Sequence, residues 1–198
     1  MDNTLILLCI IAFVAGFVDA IVGGGGLIQT PAGLILLPNE SVASVIGSLK
    51  IPSFTGTFFA ARQYLQKVKI PLKRILLFSS IAFAASFIGS YCLTIVSNQY
   101  MKPIIFFVLV IIAIYTFTKK SLGQSNTNNA LVFLTSKVAL LCLALGFYDG
   151  FIGPGAGSLL VLAFISFLGF DFLQANAHAK VVNLATNLGS IVLFIIKG

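Results

Sequence analysis

The sequence contains very few charged residues. Only 9% of its 198 residues are charged, whereas soluble domains carry about 25% charged residues. So few charges cannot cover a surface that faces water, because 59% of the chain is hydrophobic. The composition therefore excludes an ordinary soluble domain and predicts an all-α integral membrane protein that crosses the bilayer several times.

The residue types that carry enzyme and metal chemistry are also scarce. His178 is the single histidine, and Cys9, Cys92 and Cys142 stand alone in apolar runs without C-x-x-C spacing. The sequence has no nucleophile elbow, P-loop or metal motif, so we expect neither an enzyme nor a cofactor or metal site. The net charge of +7 comes from basic residues in short loops. This placement is typical of the cytoplasmic loops of membrane proteins, and we expect no nucleic-acid binding.

The apolar runs predict the order of the helices. The longer runs are 4–22, 42–64, 75–96, 104–117 and 173–197, whereas 27–37 and 158–170 are too short to span a bilayer. A basic cluster at 62–74 is expected in the cytoplasm, and a turn at 97–103 is expected to face outward. Short segments at matching positions of two halves indicate discontinuous or re-entrant helices.

Two stretches resemble each other at a distance of 130 residues. GFVDAIVGGGG occupies 16–26 and GFYDGFIGPGAGS occupies 146–158, and the same shift places Lys50 on Lys180. The sequence therefore predicts two related membrane repeats, 1–120 and 130–198, joined by a polar linker at 121–129. The second repeat ends where the third and fourth helices of the first begin, so we expect it to lack its last helices.

The candidate site lies at the two glycine breaks. Broken backbone at membrane depth leaves free N–H and C=O groups, and transporters place their substrates where such groups line a cavity. Ionisable residues at that depth are functional candidates because they are costly to bury. The predicted substrate-binding residues are Lys180, Asn183, Asn187, Asp149, Gly153, Gly155, Gly157, Asp19, Gly23, Gly25 and Lys50.

The second half supplies the stronger candidate site. Asn183 and Asn187 share a helical face close to Lys180, and a cation beside amide donors suits an oxyanion. Asp149 precedes Lys180 by 31 residues, as Asp19 precedes Lys50. We expect Asp149 to pair with Lys180 and to exchange a proton as the anion enters or leaves.

Less specific interpretations stay open. The short segments also fit two loosely packed helical hairpins, the aspartates also fit helix caps at the membrane interface, and the lysines also fit snorkelling side chains. The sequence does not decide whether the two repeats are inverted.

These motifs resemble the TauE/SafE family of sulfite and organosulfonate exporters. The resemblance rests on GFVDAIVGGGG, on GFYDGFIGPGAGS and on AHAKVVNLATNLGS at 177–190, and it extends over nearly the whole chain. It implies a multi-pass permease of the inner (plasma) membrane that moves small sulfur-containing anions across the lipid bilayer. We expect a secondary transporter that exports them. A passive anion channel and a non-transporting assembly partner are the alternatives.

Two features depart from the family pattern. Leu49 precedes Lys50 where family members carry asparagine, which favours the second-half site. Family members are usually longer, so we expect the chain to be inactive or to form a homo-oligomer that covers its open face.

Overall fold

The structure is a computed structural model that describes residues 3–22, 24–118 and 135–197. The polar linker expected at 121–129 lies outside these residues. The described residues form helices and no strands, which confirms the all-α expectation. In chain order the helices are α1 (Asn3–Val22), α2 (Gly25–Leu36), α3 (Val42–Lys67), α4 (Leu72–Ile95), α5 (Asn98–Thr118), α6 (Thr135–Phe151), α7 (Ala156–Leu168) and α8 (Phe172–Lys197).

Helices α2 and α7 are short. They contain 12 and 13 residues, and at about 1.5 Å per residue neither spans a hydrocarbon core of about 30 Å. Each follows a break in the chain directly after a longer helix. The expectation of short helices after glycine-rich breaks is therefore confirmed.

Helix α5 begins earlier than the sequence predicts. The turn expected at 97–103 is wrong, because the carbonyl of Ser97 accepts hydrogen bonds from the N–H groups of Tyr100 and Met101 and the helix starts at Asn98. The Asn98 side chain accepts a hydrogen bond from the Val42 N–H at 3.0 Å. The first residues of α5 are polar, and Asn98 among them binds the first residue of α3. Polar residues of this kind are also typical of turns, which explains the error.

The outer surface of the helices is apolar. Phe13, Ile35 and Ile195 are 79%, 74% and 75% exposed. Two of the described helices, α4 and α8, are long and apolar enough to cross a membrane. A surface of this kind is stable in lipid and not in water, because burial of apolar side chains from water drives folding.

Helix α4 packs against both α6 and α8. Small residues allow the close approach: a Cβ at Gly150 would collide with the backbone oxygen of Ser86, and one at Gly189 would lie 2.5 Å from the backbone oxygen of Phe83. Membrane helices use small residues in this way because no hydrophobic force drives helices together in lipid, and close van der Waals packing holds them instead. The α4, α6 and α8 contacts thus fix the framework around the second break.

The buried apolar side chains form two clusters. One joins α4, α6, α7 and α8 and includes Leu160, Phe164 and Val182. The other joins α3, α4 and α5, and it also buries Ile152, the first residue after α6. The break that follows α6 is therefore anchored at its start.

Candidate functional site

The second break separates α6 from α7 over residues 152–155. Gly153 and Gly155 have φ of 90° and 75°, a conformation that costs other L-residues roughly 1–2 kcal/mol. Between them, Pro154 exposes a carbonyl that accepts a hydrogen bond from the Tyr148 hydroxyl at 2.5 Å. Glycine and proline thus end α6 inside the protein, and the break is held in one conformation.

The first break lies against the second one. Gly23 is outside the described residues, but α2 begins at Gly25, whose N–H donates to the Asp19 carboxylate at 3.2 Å. A Cβ at Gly26 would lie 3.2 Å from Cα of Pro154. The backbones of the two breaks therefore meet, and the start of α2 faces the turn that precedes α7.

Lys50 and Asp149 form a buried ion pair beside these breaks. The Lys50 Nζ lies 2.7 Å from Asp149 Oδ1 and 2.7 Å from the backbone oxygen of Asp149. The two side chains are 5% and 3% exposed. Thr186 donates a hydrogen bond to the second carboxylate oxygen. Both oxygens of Asp149 are therefore bound by donors, as a buried carboxylate requires.

Lys180 and Asp19 form the second ion pair. The Lys180 Nζ donates to the backbone oxygen of Asp19 at 2.6 Å and to its Oδ2 at 3.4 Å. The Asp19 side chain is 14% exposed, against 1% for Lys180. This pair is looser than the first one, and its carboxylate has access to the surrounding space. Because Gly25 also binds Asp19, this aspartate caps a helix as well as pairing with a lysine.

The two ion pairs cross between the halves of the chain. The expected pairing of Asp149 with Lys180 is wrong, because each lysine binds the aspartate of the other half. Each lysine contacts both the carboxylate and the backbone oxygen of its partner. The 130-residue shift places Asp19 on Asp149 and Lys50 on Lys180. Exchanging the two halves therefore turns one ion pair into the other. Equal intervals within each half thus located the four residues but not their partners.

A small polar cavity lies between the ion pairs. Its volume is about 40 Å³, enough for a few water molecules. The predicted residues that line it are Asp19, Lys50, Asp149, Gly153, Gly155, Gly157, Asn183 and Asn187. Gly25 and Lys180 are in contact with Asp19 but do not line the cavity. The lysine at the cavity is therefore Lys50 of the first half, and not Lys180 as expected.

The cavity also holds donors without partners. Lys50 uses two of its three N–H bonds on Asp149, and among the described residues its third has no acceptor. Asn187 is 2% exposed, and no described residue hydrogen-bonds to its amide. Buried polar groups are normally satisfied, so these donors favour a bound polar group or water at this place.

Several cavity residues were missed by the sequence analysis. Gln29, Thr30, Ser53 and Thr57 also line it, and the Thr57 hydroxyl has no hydrogen-bonding partner in the described part of the chain. Gln29 and Thr30 lie in the short segment after the first break, and the four-residue spacing of Ser53 and Thr57 puts them on one face of α3. That spacing was the available signal.

Three serines join α4 to the two helices that carry Asp149 and Thr186. Ser86 of α4 donates to the backbone oxygen of Thr186 at 2.7 Å, and Ser90 donates to that of Gly150 at 3.1 Å. Both serines also lie within 2.9 Å of the Ser190 hydroxyl. These contacts fix α6 and α8 relative to α4. They therefore position Asp149 and Thr186 without lining the cavity.

A smaller cavity of about 30 Å³ lies on the other side of Asp19. It shares Asp19, Gln29 and Ser53 with the first cavity. Asp19 is thus the carboxylate that borders both spaces, whereas Asp149 borders one.

Comparison with known proteins identifies relatives of the chain. The family model described as sulfite exporter TauE/SafE matches residues 8–198. A probable membrane transporter protein of Haemophilus influenzae is 36% identical over 198 residues, which are 100% of this chain and 76% of that protein. The probable membrane transporter protein ORF9 of a Sinorhizobium species is 34% identical, over 99% of this chain and 74% of its own length. The probable membrane transporter protein YfcA of Escherichia coli K12 is 32% identical, over 95% and 69%. No solved structure matches the chain.

Proposed function

The chain belongs to the sulfite exporter TauE/SafE family of membrane transporters, and we propose that it exports small sulfur-containing anions, such as sulfite or organosulfonates, by secondary transport. We place it as a multi-pass protein in the inner (plasma) membrane, acting as a transporter and not as an enzyme. The observation that carries the proposal is the polar cavity where the two helix breaks meet, with Lys50 and two asparagines in its wall.

The anion binds in this cavity through donors that the protein leaves free. The third N–H of Lys50 supplies a charged hydrogen bond, and the amides of Asn183 and Asn187 replace part of the water shell of the anion. Hydrogen bonds to charged groups contribute about 1.5–3 kcal/mol each. The cavity volume favours sulfite over organosulfonates, since about 40 Å³ leaves little room for a carbon chain.

The charge balance of the site favours coupling to protons. The two lysines and two aspartates sum to zero, so an entering anion makes the buried site negative. When the anion carries a single charge, as hydrogen sulfite does, a proton on one carboxylate restores neutrality, which is the less costly state in a medium of low dielectric constant. Asp19 is the better placed carboxylate, because it is more exposed and borders both cavities. Lys180 keeps its hydrogen bond to the backbone oxygen of Asp19 when the Asp19 carboxylate is neutral.

The related halves support alternating access over a passive channel. Each ion pair joins one half to the other at a central site beside two helix breaks, which is the arrangement of repeat-built transporters that work by alternating access. We retain the two repeats, 1–120 and 130–198, as part of this proposal. The equivalent contacts of the two pairs support it.

The test is flux in proteoliposomes containing the purified chain. We expect saturable sulfite flux that follows an imposed pH gradient, with slower or no flux of methanesulfonate and taurine. Lys50→Gln should abolish the flux, whereas Lys102→Gln, which changes an exposed lysine, should leave it unchanged. Non-saturable flux would favour the channel, and full activity of Lys50→Gln would reject the proposed site.

A further inference from the structure

A larger cavity lies away from the transport site, beside the loop that joins α3 to α4. Its volume is about 220 Å³, and its wall includes Ile75, Phe78, Val138, Phe164 and Leu168. These side chains come from α4, α6 and α7. The cavity shares no lining residue with the polar cavity between the breaks. Its interior is apolar, so it suits a hydrocarbon group and not an inorganic anion.

The mouth of this cavity is basic. Lys69 and Arg74 line it and are exposed, and neither forms an ion pair or side-chain hydrogen bond with the described residues. The lining residues include no carboxylate. Lys67, the last residue of α3, and Lys73, in the first turn of α4, add positive charge on either side of this loop. An apolar interior with a positive mouth is complementary to an amphiphile with an anionic head.

We propose that this cavity binds an anionic phospholipid of the cytoplasmic leaflet. One acyl chain occupies the apolar interior, and Lys69 and Arg74 hold the phosphate at the mouth. The basic loop marks the cytoplasmic side, where anionic lipids attract clusters of Lys and Arg.

The dimensions of the cavity agree with an acyl chain. An apolar cavity of about 150 Å³ is large enough to bind benzene, so one of about 220 Å³ accommodates a longer hydrocarbon segment. The imidazole of His178 forms part of the wall and is held in place. Its Nδ1 donates to the backbone oxygen of Gln174 at 2.8 Å, and its ring centre lies 4.7 Å from that of Phe170. The wall is therefore preformed on that side.

The bound lipid joins elements that carry the transport site. The cavity touches α7, which follows the second break, and α8, which carries Lys180 and the two asparagines. A lipid in this position acts as a structural ligand that stabilises the packing of α7 and α8 against α4. It stabilises the folded protein by mass action, so binding is visible as thermal stabilisation.

The proposal is tested by measuring lipid binding to the purified chain in one detergent. Phosphatidylglycerol and phosphatidylcholine with identical acyl chains are titrated, and native mass spectrometry and thermal midpoints are recorded. We expect phosphatidylglycerol to bind and to raise the midpoint, and phosphatidylcholine to bind at least tenfold more weakly. In the double variant Lys69→Gln, Arg74→Gln, the affinity for phosphatidylglycerol should fall by roughly fivefold for each charge.

The matched control is the double variant Lys67→Gln, Lys73→Gln. It removes the same charge from the two helix ends that flank the loop, but neither residue lines the cavity. This control should keep most of its affinity for phosphatidylglycerol. An equal loss in both double variants would mean that only the total positive charge matters, and it would reject the site. A third variant, Val138→Phe, fills the interior. It should weaken both lipids equally while retaining the lipid-free midpoint within a few degrees; if it lowers that midpoint strongly, Val138→Met replaces it. Glycerol-3-phosphate should not compete, and competition at equal concentration would overturn the role of the acyl chain.

Discussion

The crossed ion pairs make a prediction that separates the observed pairing from the one suggested by the sequence. In the structure Lys50 and Asp149 contact each other at 2.7 Å, and both side chains are at most 5% exposed. Removing one member of such a pair leaves an isolated buried charge, which costs about 3–5 kcal/mol. We therefore expect Lys50→Gln and Asp149→Asn each to destabilise strongly, and the double variant to cost no more than either single one.

The size of the effect makes it measurable by thermal unfolding. For a chain of about 200 residues, 1 kcal/mol shifts the midpoint by roughly 2–4 °C, so each single substitution should lower it by roughly 6–20 °C. The sequence contains no tryptophan, so a thiol-reactive dye is the better probe. Cys142 is buried and reacts on unfolding. Cys9 is exposed and Cys92 is partly exposed, so both are replaced by serine in all variants. All variants are compared at one heating rate in the same detergent, since unfolding of such proteins is often irreversible.

The control is the pair that the sequence suggested. Asp149→Asn combined with Lys180→Gln should show effects that add, because Lys180 contacts Asp19 instead. The coupling energy for Lys50 with Asp149 should be at least about 3 kcal/mol, because a double variant that costs no more than one single variant leaves a full single cost as the coupling. If Asp149 couples to Lys180 and not to Lys50, the crossed arrangement is refuted.

Three further predictions follow from single contacts. Thr186→Val removes the donor to the second oxygen of Asp149 and should cost about 1–3 kcal/mol in unfolding free energy, with Thr186→Ser restoring most of it in the same dye assay. Gly150→Ala places a methyl group against the backbone of Ser86 and should clearly lower the thermal midpoint. Gly56→Ala, with no heavy atom within 4 Å of the added Cβ, should leave the midpoint within roughly 2 °C of the unsubstituted protein. Equal shifts in the two variants would contradict the close packing of α4 and α6. Asn187→Leu removes a cavity amide and should raise the KM for sulfite by about tenfold or more with little change in stability, and an unchanged KM would exclude Asn187 from the site.

The sequence predicted the breaks well because they depend on local chemistry. Gly153, Pro154 and Gly155 are three successive residues that each disfavour a helix, and the structure ends α6 just before them. The residues that meet across the break were not predictable in the same way. Gln29 lies on α2 with no distinctive local pattern around it, and only the packing of α2 against α3 brings it to the same cavity as Thr57.

The pairing of charges failed for a related reason. The interval of 31 residues recurs in each half, so it identified Asp19, Lys50, Asp149 and Lys180 as a set. An interval along the chain carries no information about which half a side chain contacts, because that depends on how the halves are placed against each other. Leu49 also drew attention away from Lys50, although both residues line the polar cavity in the structure.

The crossed pairs have a consequence for synthesis of the protein. Lys180 lies 161 residues after the aspartate that it binds, and Asp149 lies 99 residues after its lysine. When the ribosome has completed the first half, Asp19 and Lys50 are already at membrane depth while their final partners do not yet exist. Leaving such charges in hydrocarbon is costly, so the nascent first half should stay next to the aqueous channel of the insertion machinery until α6 and α8 arrive. Insertion of this chain is therefore expected to finish late and in one step, and a ribosome stalled before residue 149 should leave the first half open to extraction from the membrane.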